Sequence, residues 1–241
     1  MGDPPQAGLR NLRGLRVSGQ PRETVPMKTH PSHPALATAA CLLLAGLLLA
    51  CKATPTSWDS APIDTSADPE QTPVEHPIGI AMRRDGYDVV LTPRADYVLR
   101  GVVLDRSTYY SGWNAALAPC DVAMAWGKLL EGGLYRKISW SQSGRWYWWE
   151  YGPGTGLDNA FIARYSSNTH VIPADANLER AAKGLGKGDV AELSGELVDV
   201  SVRRGGFTGW WHTSLSRSDT GDGSCEVLYL RRLKKAGRIY E

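Results

Sequence analysis

Phenylalanine is nearly missing from this 241-residue chain: two residues, against nine tryptophans and ten tyrosines. Its aromatic surface is therefore almost wholly amphipathic, suited to a β-rich surface with one wet side or to a binding face. Net charge is also scarce. Twenty-seven basic and 25 acidic side chains leave a formal +2, and even that excess sits in the first fifty residues. These hold Arg10, Arg13, Arg16, Arg22 and Lys28 against Asp3 and Glu23. The remainder carries 22 basic and 23 acidic side chains, a formal −1. No domain-wide field invites nucleic acid. A run long enough to span a bilayer is missing too: Ala35 to Ala50 has 16 apolar or small residues, short of the ~20 a helix needs. Phosphate-loop glycine spacing, an HExxH pair and a nucleophile elbow are all absent, so nucleotide and metal chemistry lack a basis and no cofactor or metal is expected.

What is present begins with that short apolar run. It follows a segment with Lys28 and two histidines and ends in small residues, the layout of a secretory signal peptide. Its end, Leu48-Leu49-Ala50-Cys51, resembles the bacterial lipobox, which implies cleavage before Cys51 and acylation of its thiol. Two or more acyl chains anchor a protein stably where one binds reversibly. Starting from Met27 the signal has ordinary proportions, so translation is expected to begin there, with residues 1–26 an extension outside the protein and 27–50 the leader. The partner expected at this end is membrane lipid. By resemblance to diderm lipoproteins, Lys52 after the cysteine permits export, placing the protein in the cell envelope on the periplasmic side, at the outer rather than the inner membrane. Residues 51–77, with five prolines among many Ser, Thr and Asp and a single aromatic, cannot bury a core of their own and read as a disordered tether.

The folded part is expected over 78–233, followed by a basic tail at 234–241. About 155 residues suffice for one core. Tyr87–Leu91 and Tyr97–Leu104 read as strands separated by Pro93 to Asp96. In LAPCDVAMAWGKLLEGG the residues Val122, Trp126, Leu129 and Leu130 fall at helical spacing, with Pro119 at a helix start and Gly132-Gly133 at its end. Ser139 to Gly144 reads as a turn, Arg145 to Tyr151 as an aromatic strand, and Asn168 to Ile172 as extended. A second helix is expected from the Asp175 cap, with Leu178, Ala181, Ala182 and Leu185 on one face and a Glu179–Lys183 pair. In GDVAELSGELVDVSVR the apolar alternation Ala191, Leu193, Leu197 changes phase to Val198, Val200, Val202. Such a switch predicts a bulge or bend in this strand, with Gly195 supplying it. Strands over Gly209–Ser216 and Cys225–Leu233 complete the set. The fold class is α+β and β-rich: an OB-like small barrel or a bent antiparallel sheet with two short helices.

Five ordered blocks, LAPCDVAMAWG, SQSGRWYWW, SNTHVIPA, GKGDVAELSGELV and SLSRSDTGDGSCE, resemble a family of bacterial secreted or membrane-associated proteins of unknown function. The resemblance covers most of residues 87–230. It implies no catalytic residues, and it implies an aliphatic residue where this chain has Cys120.

Several constellations are candidates for chemistry. Cys120 and Cys225 remain once the leader and the anchor claim Cys41 and Cys51. In an oxidising compartment they either pair, closing a loop worth about 4–5 kcal/mol, or stay as separate buried thiols. Asp219, Asp222 and Glu226 lack EF-hand spacing, and Asp222-Gly223 reads as a hairpin turn. His170, preceded by Asn168, is the one candidate catalytic base. It would need an orienting carboxylate and a nucleophile, and Ser166, Ser167 and Asp175 are near in sequence. The strongest binding lead is aromatic: Trp146, Trp148 and Trp149 with Trp210 and Trp211. On a strand, Trp146 and Trp148 share one side and Tyr147, Trp149 and Tyr151 the other. The expectation is a lipid-anchored envelope protein whose domain binds an envelope protein, peptide or glycan, with a periplasmic hydrolase using His170 as the alternative.

Overall fold

A computed structural model describes residues 52–216 and 224–241. The leader, Cys51 and the turn at Asp219 and Asp222 lie outside the described residues. The protein is β-rich, and its centre is a 22-residue strand, β4 (Tyr87–Thr108), where two shorter strands were expected. Pro93 does not interrupt it, because one extra residue, Arg94, is accommodated there as a bulge: Pro93 pairs with Val198 and Ala95 with Leu197. That bulge explains the phase switch in the partner strand, β9 (Val190–Arg204). Ala191, Leu193 and Leu197 face one buried cluster, and Val198, Val200 and Val202 face another on the opposite side. β9 itself carries no extra residue. The sheet changes its covered face midway, so the unbulged strand must switch phase while bulged β4 buries its odd-numbered residues throughout. The expected kink in β9 is thus corrected to a bulge in β4, and Gly195 serves another purpose. A Cβ built there would lie 2.0 Å from the Tyr229 carbonyl oxygen, so the glycine permits close backbone approach.

The expected first helix is a strand, β5 (Cys120–Ala125), with all six residues buried. Cys120, Val122 and Met124 enter the inner cluster, while Ala123 and Ala125 enter a third cluster on the other side. A strand covered on both faces loses its alternation, and a continuous apolar run then imitates a helix. Two 3-10 stretches follow, Gly127–Leu129 and Glu131–Lys137. The second expected helix forms as read. Asp175 accepts from the backbone N–H groups of Asn177 and Leu178 to cap Ala176–Lys183, and Lys183 pairs with Glu179 at 2.6 Å. Two further short helices are α1 (Trp113–Leu117) and α2 (Asn159–Arg164), so that the capped one is α3.

β8 (Ser166–Pro173) and β11 (Glu226–Lys235) complete a cycle of pairings. β4 pairs with β5, β5 with β8, β8 with β11, β11 with β9, and β9 with β4. All are antiparallel except β8–β11, so the sheet is mixed. It is bent rather than closed into a regular barrel. α3 packs its Leu178, Ala181 and Ala182 into the inner cluster. A separate hairpin, β6 (Ile138–Ser143) and β7 (Trp146–Tyr151), lies over the third cluster.

The proline-rich stretch expected to hang free lies along this sheet instead. β1 (Ser57–Trp58) pairs with β12 (Arg238–Tyr240), and β2 (Glu70–Pro73) pairs with β4. Asp68 accepts from the Trp126 indole at 3.2 Å and forms an ion pair with Arg164, and Gly127 donates its N–H to the Thr65 carbonyl. Such a composition cannot form a core, but its backbone can still satisfy the edge of another. The basic tail is likewise structured: Lys234 is buried, donates to Ala61 and pairs with Asp59. β3 (Ile80–Arg84) and β10 (Phe207–Trp211) extend the sheet at β4 and β9. Among the described residues no helix is long and apolar enough to cross a membrane.

Candidate functional site

On the outer face of β5 and β8, Asp121 and His170 stand opposite each other in register. Asp121 is fully buried, which leaves its charge viable only with partners. Arg145 supplies one, its Nη1 lying 2.7 Å from Asp121 Oδ1 and 2.9 Å from the Ala118 carbonyl oxygen. Arg145 occupies the β6–β7 turn beside Gly144, and both have positive φ, 76° and 61°. A left-handed arginine is strained, and here it aims the guanidinium from the hairpin into the main sheet. The cation lies 3.7 Å from the Tyr109 ring centroid. Burial first, then the Asp121 charge, pushes the Tyr109 hydroxyl up to about 12. His170 Nδ1 sits 2.9 Å from Asp121 Oδ1, within ion-pair range, although its N–H is not aimed along that line. The Trp211 ring covers the imidazole at 4.6 Å. The orienting carboxylate that His170 needs is thus Asp121, far off in sequence, whereas Asp175 is spent on the α3 cap.

Beside this buried cluster, the hairpin and the first residues of β8 and β11 enclose a cavity of about 410 Å³, within the range of small-ligand sites. Trp146, Tyr147, Trp148 and Trp149 wall it, and Asn159, Ser166, Ser167, Asn168 and Glu226 supply polar groups. The strand parity holds for the inward side. Tyr147, Trp149 and Tyr151 pack onto the third cluster, and Trp148 is 57% exposed. Tyr147 stacks parallel to Trp140 with centroids 6.4 Å apart, and Trp149 donates its indole N–H to Asn159 at 2.9 Å. The amide of Asn168 is fixed on both sides. Gln142 donates to its oxygen at 2.5 Å, and its nitrogen donates to the Arg145 carbonyl at 3.0 Å. Glu226 is the charged residue among the described lining.

The sequence-predicted residues are therefore only partly gathered. Trp146, Trp148, Trp149, Asn168 and Cys225 meet at the cavity, and His170 and Trp211 sit together beside it. Trp210, 64% exposed, lines neither. Cys120 and Cys225 are not joined to each other. Cys120 is level with Val171 and hence with Leu228, two strands and three residues from Cys225, a separation of more than about 10 Å at ordinary sheet spacings. Burial, then the neighbouring Asp121 charge, pushes the Cys120 thiol up to about 12, so it is inert. Asp121, Arg145 and Tyr109 were missed as site residues. A lone carboxylate inside the apolar run CDVAMA and an arginine beside Gly144 were their signals. No protein-family model matches the chain, and no curated protein or solved structure matches it either.

Proposed function

We propose that this is a lipid-anchored protein of the bacterial cell envelope, held on the periplasmic side by acylated Cys51, at the outer rather than the inner membrane. Its OB-like domain binds an envelope partner: a glycan, a peptide or a protein. The observation that carries the binding role is the tryptophan-walled cavity with amide and hydroxyl groups on its floor, because aromatic faces stack on sugar rings and apolar side chains while amides fix orientation. The pairing cycle supports the OB-like description. Taken in chain order its five strands connect as one-two-three-five-four, with the third and fifth parallel and a helix between the third and fourth. OB folds bind along strands two and three, here β5 and β8, where Asp121, Asn168 and His170 lie. Metabolic labelling with palmitate tests the anchor, and Cys51→Ser should abolish the label. Calorimetric titration with soluble peptidoglycan fragments and with peptides tests the cavity. Trp148→Ala should weaken whichever ligand binds by about tenfold, in line with one lost stacking contact; unchanged affinity would sink the assignment.

A second reading, a hydrolase using His170, draws support from Asp121 beside its imidazole. Against it, His170 is 4% exposed, and among the described residues its ring hydrogen-bonds no hydroxyl or thiol. Cleavage of the bound fragment that disappears in His170→Ala while binding persists would establish it.

A further inference from the structure

A second hollow lies where the chain that follows Cys51 meets the fold. Beside α3 and β12 a hollow of about 460 Å³ is lined by Lys52, Arg180, Lys183, Lys235 and Arg238, and no carboxylate lines it. Lys183 is matched by Glu179 and Lys235 by Asp189. Lys52, Arg180 and Arg238 have no carboxylate partner among the described residues, and the buried Nε of Arg180 has no hydrogen-bond acceptor there. A concentration of unmatched cations around a hollow is unfavourable unless an anion fills it.

The position of the hollow says which anion. Lys52 is the residue after the anchor cysteine. Ala53 packs against the inner cluster. Thr54 is clamped to α3 by two reciprocal hydrogen bonds: its N–H donates to Asn177 Oδ1 at 2.8 Å, and its carbonyl accepts from Asn177 Nδ2 at 2.7 Å. Thr56 donates its N–H to Ile239 at 2.8 Å. Three residues of extended chain span at most about 10 Å. An acyl chain on Cys51 therefore holds this face within about 10 Å of the headgroups, the scale of one Debye length. With a tether of 26 free residues such charges would be screened; with the strap bound they are not.

We propose that the face formed by Lys52, Arg180 and Arg238 docks on anionic phospholipid of the membrane that carries the anchor, with a headgroup phosphate in the hollow. This rests on the acylation of Cys51 and adds to it an orientation: the domain lies on the bilayer by this face. Each cation near an anionic surface is worth roughly fivefold in binding.

The test is amide hydrogen exchange on the membrane-extracted full chain, reconstituted into phosphatidylglycerol–phosphatidylethanolamine vesicles or into phosphatidylcholine vesicles. Peptides covering 52–58, 176–187 and 234–241 should exchange several-fold more slowly on the anionic vesicles, and high salt should erase the difference. The variant combining Lys52→Gln with Arg238→Glu, both at exposed positions, should lose the protection while remaining folded and vesicle-bound. Equal exchange on both vesicle types overturns the proposal, as does equal protection by inorganic phosphate without vesicles, which would mark a free-anion site. The mass of the Cys51 peptide is read in the same sample. If it carries no acyl group, the anchoring reading fails by itself. Sedimentation of the same chain with anionic vesicles then decides the face, which stands if the variant abolishes co-sedimentation and falls if the parent does not sediment.

Discussion

Arg145 joins two parts of the molecule through one side chain. It accepts a left-handed backbone in the hairpin turn, balances a fully buried carboxylate on β5 and covers the Tyr109 ring. Removing one partner of a buried pair leaves the other charge stranded, at a cost of about 3–5 kcal/mol. Arg145→Ala should lower the unfolding free energy by that amount, read from the shift of the urea midpoint at unchanged slope, and Arg145→Lys should recover only part of it, because an ammonium lacks the planar stacking face. If Arg145→Ala is neutral by equilibrium denaturation, the pair is not a structural link. Individual side chains were the least legible scale. The tryptophans announced themselves by their rarity in proteins, but Asp121 is a single letter in an apolar run. Its importance appears only when the hairpin, more than twenty residues on, delivers a cation to it. The same holds for His170, whose carboxylate was sought nearby in sequence and came from the neighbouring strand.

The strands depend on glycines chosen for closeness. At Gly195 an added Cβ would stand 2.0 Å from the Tyr229 carbonyl oxygen, and at Gly101 2.4 Å from that of Ala125. Both neighbours are backbone and cannot swing aside. Gly195→Ala should therefore push β9 from β11 and cost about 1–3 kcal/mol or more, as overpacking does. Gly206, with open space where a Cβ would go, is the matched control, and its alanine variant should melt within a degree or two of the parent in a calorimetric scan. Equal effects at the two positions would contradict the close-approach reading. Elements covered on one face were readable: α3 follows its cap and apolar stripe, and β9 its alternation. Elements covered on both faces were not. In β5 the inner and outer clusters together remove every polar position but Asp121, and the apolar spacing that survives fits a helix as well as a strand.

Across the whole molecule, the proline-rich strap that follows residue 52 is bound to the C-terminal strand and to the sheet. Lys234, buried at the end of β11, has Asp59 of the strap as its counter-ion. The Lys234 contact and the Ala61 N–H hold the Asp59 carboxyl below its ordinary 3.8. A depressed carboxylate contributes fully above its unfolded value, and the contribution disappears as pH falls through the folded one. The strap should therefore stay closed at neutral pH and loosen only under acid below about pH 4. Asp59→Asn should loosen it at neutral pH, read as faster amide exchange at Thr56 and Asp59 with the exchange of β4 unchanged. Uniform acceleration would mean that strap and sheet open as one. This order was not visible in composition, because a polar, proline-rich stretch announces only that it has no core of its own. Whether it finds an edge to pair with depends on strands almost two hundred residues away.

The strap also gives the molecule a mechanical property. If Cys51 is held in a bilayer while a bound partner pulls on the domain, tension enters at residue 52. It meets the two-residue β1 pairing, the four-residue β2 pairing and the ion pairs of Asp59 and Asp68 before it reaches the central strands. These contacts are few enough to part first, and the released 26 residues extend to about 90 Å. Slack paid out in this way would let the domain follow a moving partner without unfolding, and recoil would bring it back when the load is gone.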